Sequence, residues 1–96
     1  MVNADVTTYT ARIFSAFADE TRLQILKLLM QDPDICVSSL ADELDISISA
    51  VSQQCKLLEL SGVVVRRRRG QKICYQLNNS DPIVTKLLTL IRKEVR

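Results

Sequence analysis

Val6, Ile13, Phe14 and Phe17, with Ala11, Ala16 and Ala18 between them, recur at roughly helical spacing and predict a first helix over 4–18. Asp19 reads as the N-cap of a second helix over 20–31. There Leu23, Ile25, Leu26, Leu28 and Leu29 make the surface apolar around most of its circumference, so this helix belongs at the centre of the core. It stops at Gln31-Asp32-Pro33-Asp34, because the residue before a proline avoids helical backbone. Ile35-Cys36-Val37 is a short β-prone stretch. Ser38 or Ser39 can then cap a third helix through Leu44, with Leu40, Ala41 and Leu44 inward. After a turn at Asp45-Ile46, Ser47 caps a fourth helix over 48–60, with Val51, Leu57, Leu58 and Leu60 as its inner face. It ends at Ser61-Gly62, where glycine suits a left-handed residue.

From here the period changes. Val63-Val64-Val65 and Ile73-Cys74-Tyr75-Gln76-Leu77 are β-rich runs flanking Arg66 to Lys72, a charged, glycine-containing stretch expected at a hairpin tip. Ser80 or Asp81 caps a last helix over 82–95, with Pro82 at its first position and Ile83, Leu87, Leu90 and Ile91 on one face. Two helices joined by a short turn and followed by a basic two-stranded wing define a winged helix-turn-helix, mainly α with a β-hairpin.

Composition narrows the chemistry. Ninety-six residues make a single domain, here 1–96, with 47% apolar and 25% charged residues. There is no histidine, so the commonest general base and zinc ligand is missing, and with it every Ser–His or Cys–His dyad. Nothing catalytic is expected, and no cofactor. The longest uncharged apolar stretch, Gly62 to Val65, is far short of a membrane span, which excludes a transmembrane role. Cys36, Cys55 and Cys74 include no CxxC, and the opening MVNADVTTYT has neither a basic segment nor a long apolar run. Those features point to free thiols in a reducing cytoplasm.

Charge is unevenly spread. Residues 19–45 hold seven acids against Arg22 and Lys27, whereas residues 56–96 hold ten cations against Glu59, Asp81 and Glu94. A basic C-terminal half under a net charge of only +2 suggests an anionic partner, nucleic acid before membrane. The fourth helix presents Ser47, Ser49, Ala50, Ser52, Gln53 and Lys56 on its outer face. Small residues allow close approach to a duplex, Ser and Gln offer groups to base edges, and Lys56 can meet phosphate. A merely solvated face would ordinarily mix Glu with Lys. The second candidate element is Arg66, Arg67, Arg68, Arg69 and Lys72, all free to reach outward if they sit at a tip. One or two cations suffice to protect a strand edge, so four consecutive arginines favour phosphate or minor-groove contact in double-stranded DNA. The terminal helices, 4–18 and 82–95, are more apolar than one small core can use and are expected to form a homodimer interface. Free cysteine is ordinarily a small buried hydrophobe, and of the three Cys55, beside Lys56, is the least implausible redox thiol.

From Phe17 to Leu77 the chain resembles the ArsR/SmtB family of small winged-helix repressors. The resemblance rests on Phe17-Ala18-Asp19-Glu20-Thr21-Arg22-Leu23, Ser39-Leu40-Ala41-Asp42-Glu43-Leu44, Ser47 through Leu58, and Arg69-Gly70-Gln71-Lys72 with Tyr75 and Leu77. It implies a homodimer that represses transcription and leaves its operator when an effector binds. Many members carry a cysteine–valine–cysteine signature at the third helix, which here is Cys36-Val37-Ser38. A second family site takes Asp and His from the last helix, where Asp81 has no His companion, and the family's frequent histidine pair in the fourth helix is Gln53-Gln54. No metal site is therefore expected: Cys36 has lost its neighbouring thiol, and Cys55 and Cys74, on the DNA-reading half, are not expected to converge on it. The other readings are a winged-helix module that binds protein or RNA, and a thiol- or metal-responsive repressor.

Overall fold

The computed structural model describes residues 2–93. Asn3 starts the fold: its side-chain oxygen accepts from the backbone N–H groups of Asp5 (2.9 Å) and Val6 (3.2 Å) and opens α1 (Ala4–Ala16). This helix stops two residues before the expected Ala18. Arg22 caps its end, Nε donating to Ala16 O (3.0 Å) and Nη2 to Ser15 O (3.1 Å), which Ala18 N also reaches. Asp19 caps α2 (Glu20–Gln31) as expected, accepting from Arg22 N at 3.0 Å. Ile25, Leu26 and Leu29 of α2 lie at the centre of the core, at most 1% exposed.

α3 (Val37–Leu44) begins earlier than a Ser38 or Ser39 cap would allow. Its N-cap is Cys36, held in extended backbone by a bridge to Cys74, and no side chain bonds the first turn. The β-prone stretch before α3 thus pairs at a single position. α4 (Ile48–Leu60) starts at the predicted Ser47, whose hydroxyl accepts from Ala50 N at 3.0 Å. Its buried positions are Val51, Cys55 and Leu58. Leu57 and Leu60, expected inside, are 47% and 73% exposed. Steps of four and three put Cys55, not Leu57 or Leu60, in line with Val51 and Leu58.

β1 (Val64–Arg69) and β2 (Lys72–Leu77) pair antiparallel, from Val64 opposite Leu77 to Arg69 opposite Lys72. The four arginines are therefore strand residues, a correction to their expected place at the tip. The turn is only Gly70-Gln71, and Gly70 has φ +60°, which glycine adopts without strain. Asp81 caps α5 (Pro82–Arg92), accepting from Ile83 N (2.8 Å) and Val84 N (3.1 Å) and from the Tyr9 hydroxyl of α1. The expected last residues of that helix, 94 and 95, lie outside the described part. Val84 and Leu88 face the core, while Leu90 is 62% exposed.

The expectation of three free thiols is overturned. Cys36 and Cys74 form a disulfide that ties the start of α3 to the second wing strand, with Cα atoms 3.8 Å apart. Cys74 does converge on Cys36, because the wing folds back over the loop before α3. No described helix is long and apolar enough to cross a membrane.

Candidate nucleic-acid interface

Two elements build the site, α4 and the hairpin, and each is aimed by something beneath it. α4 follows a tight turn in which Asp45 is left-handed (φ 54°) and Ile46 N donates to Ala41 O at 3.1 Å. Ser47, Ser49, Ser52, Gln53 and Lys56 are exposed along α4, and Ala50 is half-buried. Gln54 is different: its Oε1 accepts from Arg22 Nη1 at 3.0 Å. Of the two neighbouring glutamines, only Gln53 is left to face outward.

Arg22 is the residue that sequence reasoning passed over. One guanidinium closes the end of α1 and reaches α4, so it fixes the angle at which α4 leaves the core. Its signals in the sequence were its place in the stretch from Phe17 to Leu23 and its being one of two cations in an acidic, apolar segment.

Between α4 and the wing runs an open cleft of about 610 Å³. Cys36, Val37 and Ser38 of the α3 start, Ile48, Ser52, Lys56 and Glu59 of α4, and Arg66, Gln71, Lys72, Ile73 and Tyr75 of the hairpin line it. Ser52, Lys56, Arg66 and Lys72, chosen from the sequence, are brought together here; Ile48, Ser38, Gln71 and Tyr75 were not foreseen. Three cations against Glu59 make the cleft positive. Tyr75 is the buried aromatic of its lining, and burial pushes its phenol above the usual value, which Arg66 partly offsets.

Strand alternation divides the arginines. Arg66 is opposite Tyr75 and Arg68 opposite Ile73, so both share the face turned toward α4. Arg67 and Arg69 lie on the other face. Arg69 is ion-paired with Asp34, Arg67 Nε donates to Gln76 Oε1 (3.3 Å), and Gln76 Nε2 reaches Asp34 Oδ1 (3.5 Å). Arg69 lines a second cleft of about 570 Å³ behind the wing, with Asp34, Gln76 and Arg92.

Neither Cys55 nor a metal cluster adds chemistry to the site. Cys55 is fully buried, as expected of a free cysteine, and burial first, then the nearby Glu59, pushes its thiol up to about 12, so the alternative reading of it as a redox thiol is not supported. Among the described residues no group of three or more His, Cys, Asp or Glu side chains could hold a metal ion.

Comparison with known proteins agrees with this geometry. A family described as winged helix-turn-helix DNA-binding matches residues 19–65. An HTH-type transcriptional regulator of Methanocaldococcus jannaschii is 42% identical over 60 residues, 62% of this chain and 67% of its own length. The arsenical resistance operon repressor of Escherichia coli is 37% identical over 71 residues, 74% of this chain. The match spans 61% of that repressor's length. The homodimeric winged helix-turn-helix DNA-binding domain of Mb0332 from Mycobacterium bovis, a possible ArsR-family regulator, superposes with a TM-score of 0.81 at 28% identity, covering 95% of this chain and 82% of the other.

Proposed function

The chain belongs to the ArsR/SmtB family of winged-helix transcriptional regulators, and we propose that it is a cytoplasmic homodimer that binds a specific duplex DNA site and represses transcription. The observation that carries this reading is the exposed face of α4, small and amide-bearing, set beside a cation-lined cleft that the wing closes on one side. In this reading Gln53, Ser49 and Ser52 meet base edges, with Ser47 and Ala50 allowing close approach of the helix N-terminus. Lys56, Arg66, Arg68 and Lys72 neutralise phosphates, and Arg67 and Arg69 serve mainly to hold the wing.

The dimer reading rests on uncovered apolar surface. Val6, Tyr9 and Phe14 of α1 are 58%, 47% and 54% exposed, and Leu90 of α5 is 62% exposed. The accessible surface is 6395 Å². A globular chain of this mass would show about 5,500 Å². A second copy packed on these helices would cover their exposed apolar side chains, and the similar Mb0332 domain is homodimeric.

The family's thiolate metal site does not fit these residues. Its second thiol is replaced by Ser38, a poor soft-metal ligand, and Cys36 is engaged with Cys74. Selection from random duplex DNA tests the reading: enrichment of an inverted repeat supports a two-fold DNA-binding dimer. No enrichment at moderate salt would overturn it in favour of a protein- or RNA-binding module.

A further inference from the structure

We propose that Cys36 and Cys74 form a reversible dithiol–disulfide site, oxidised by an anionic low-molecular-weight disulfide, that fixes the wing in its DNA-binding position. The inference rests on the DNA-binding reading above. It starts from the placement of the two sulfurs. Cys74 is on the wing strand, and Cys36 is the N-cap of the first helix of the helix-turn-helix, so their bond joins the phosphate-binding element to the base-reading unit.

Apart from the apolar packing of Tyr75, with Ile73 and Leu77 beside it, the other contacts between these parts are polar, few and weak. Tyr75 N donates to Ile35 O at a long 3.4 Å, and Asp34 reaches Arg69 and Gln76 at the surface. Exposed ion pairs of this kind contribute little and weaken with salt. The base of the hairpin, Val63 and Val64, is anchored in the core, but the outer strand residues are exposed. Without the disulfide, Tyr75 and the hairpin base still hold the inner half of the wing, but the outer half, Arg67 to Lys72, has only surface contacts to limit its motion; with it, β2 is also tied covalently to the start of α3 at Cys74. A binding element held in place loses less freedom on association.

Access decides the order of events. Cys36 is half-buried and lines the open cleft, where Lys56, Arg66 and Lys72 attract anions, whereas Cys74 is fully buried. The Cys36 thiolate attacks one sulfur of the small disulfide, making a mixed disulfide and releasing one thiolate. Cys74 gives its proton to solvent, attacks the Cys36 sulfur and expels the second thiolate. The two protein thiols lose two electrons and two protons; the small disulfide takes them up as two thiols. Cys55 is a bystander, buried and with its thiol pushed up to about 12.

The test equilibrates the full-length protein in reduced and oxidised glutathione at graded ratios, quenches it, and measures the disulfide fraction by alkylation and mass. Affinity for the selected DNA site and for random duplex is measured at the same ratios. Affinity should rise five- to tenfold in step with the disulfide fraction. Cys36→Ser and Cys74→Ser should each bind like the reduced protein and ignore the buffer. Equal affinity in both redox states, or tighter binding when reduced, would overturn the inference while leaving the DNA-binding reading intact. So would a pair that stays reduced in fully oxidised glutathione. Absence of duplex binding in either state would instead overturn the DNA-binding reading, and the inference with it.

Discussion

Single alanine substitutions along β1 should separate the arginines by strand face. Arg66 and Arg68 share the side turned toward α4, while Arg69 is ion-paired with Asp34 and Arg67 bonded to Gln76 on the other side. Each lost phosphate contact flattens the dependence of log affinity on log salt by about 0.9. A two-fold dimer loses two such contacts per substitution, so Arg66→Ala or Arg68→Ala should flatten the slope by about 1.8. Between roughly 50 and 200 mM salt, that amounts to about a twelvefold smaller loss of affinity. For Arg69 to reach phosphate it must first leave Asp34, so Arg69→Ala should change the slope by less than half as much. Fluorescence anisotropy on one labelled duplex, repeated at five or six salt concentrations, gives the slopes directly. If Arg69→Ala flattened the slope as much as Arg66→Ala, strand alternation would not govern which arginines meet DNA.

Three further outcomes follow from the same contacts. Arg22→Ala removes three charge-assisted hydrogen bonds joining α1, α2 and α4, and at partly exposed positions should cost about 2 kcal/mol, or roughly 8–15 °C in Tm; a shift within 2 °C would show that the network does not hold the helices. Leu90→Glu should leave a folded monomer in sedimentation, whereas Leu88→Glu, at a position 1% exposed, should unfold the chain; a dimeric Leu90→Glu protein would remove α5 from the interface. The Tyr9 hydroxyl, with the N–H groups of Val84 and Ile83, holds the Asp81 carboxyl below its usual 3.8, so its stabilisation is present above that value and is lost as pH falls through the lowered one. Tyr9→Phe should therefore raise the acid-unfolding midpoint in a circular dichroism titration, and an unchanged midpoint would remove that hydrogen bond from the account.

Local signals were legible where local chemistry decides. Asp19 and Ser47 cap α2 and α4 as read, because a short polar side chain before an apolar helical run satisfies free N–H groups whatever lies beyond. The exposed outer face of α4 was legible too, since its small and amide residues occupy the positions that the apolar spacing leaves over. Leu57 and Leu60 failed on local spacing, whereas two helix ends failed because their partners lie outside the helix. The end of α1 depends on Arg22, six and seven residues away, and the start of α3 on Cys74, 38 residues from Cys36. No helical or strand period predicts either contact, and the second spans 38 residues. The four arginines misled differently. A run of like charges reads as a tip, but the two-residue turn at Gly70-Gln71 draws them into the strand, where alternation assigns them opposite sides.

That assignment separates two energies that a single basic patch would have merged. The α4 face carries one cation, Lys56, among Ser, Ala and Gln, so its contribution is mostly discrimination between bases, about 1–3 kcal/mol for each good pairing. The wing is dominated by cations, which in this reading meet phosphates, so its contribution is mainly affinity shared by all sequences. The disulfide ties the wing to the start of α3 and includes no residue of α4. A change there should therefore scale binding to the chosen site and to random duplex by the same factor, leaving their ratio fixed. Loss of Gln53 should do the reverse, lowering the ratio while sparing random DNA. A protein built this way can let go of its site without losing the ability to recognise it, because what releases it is not what reads.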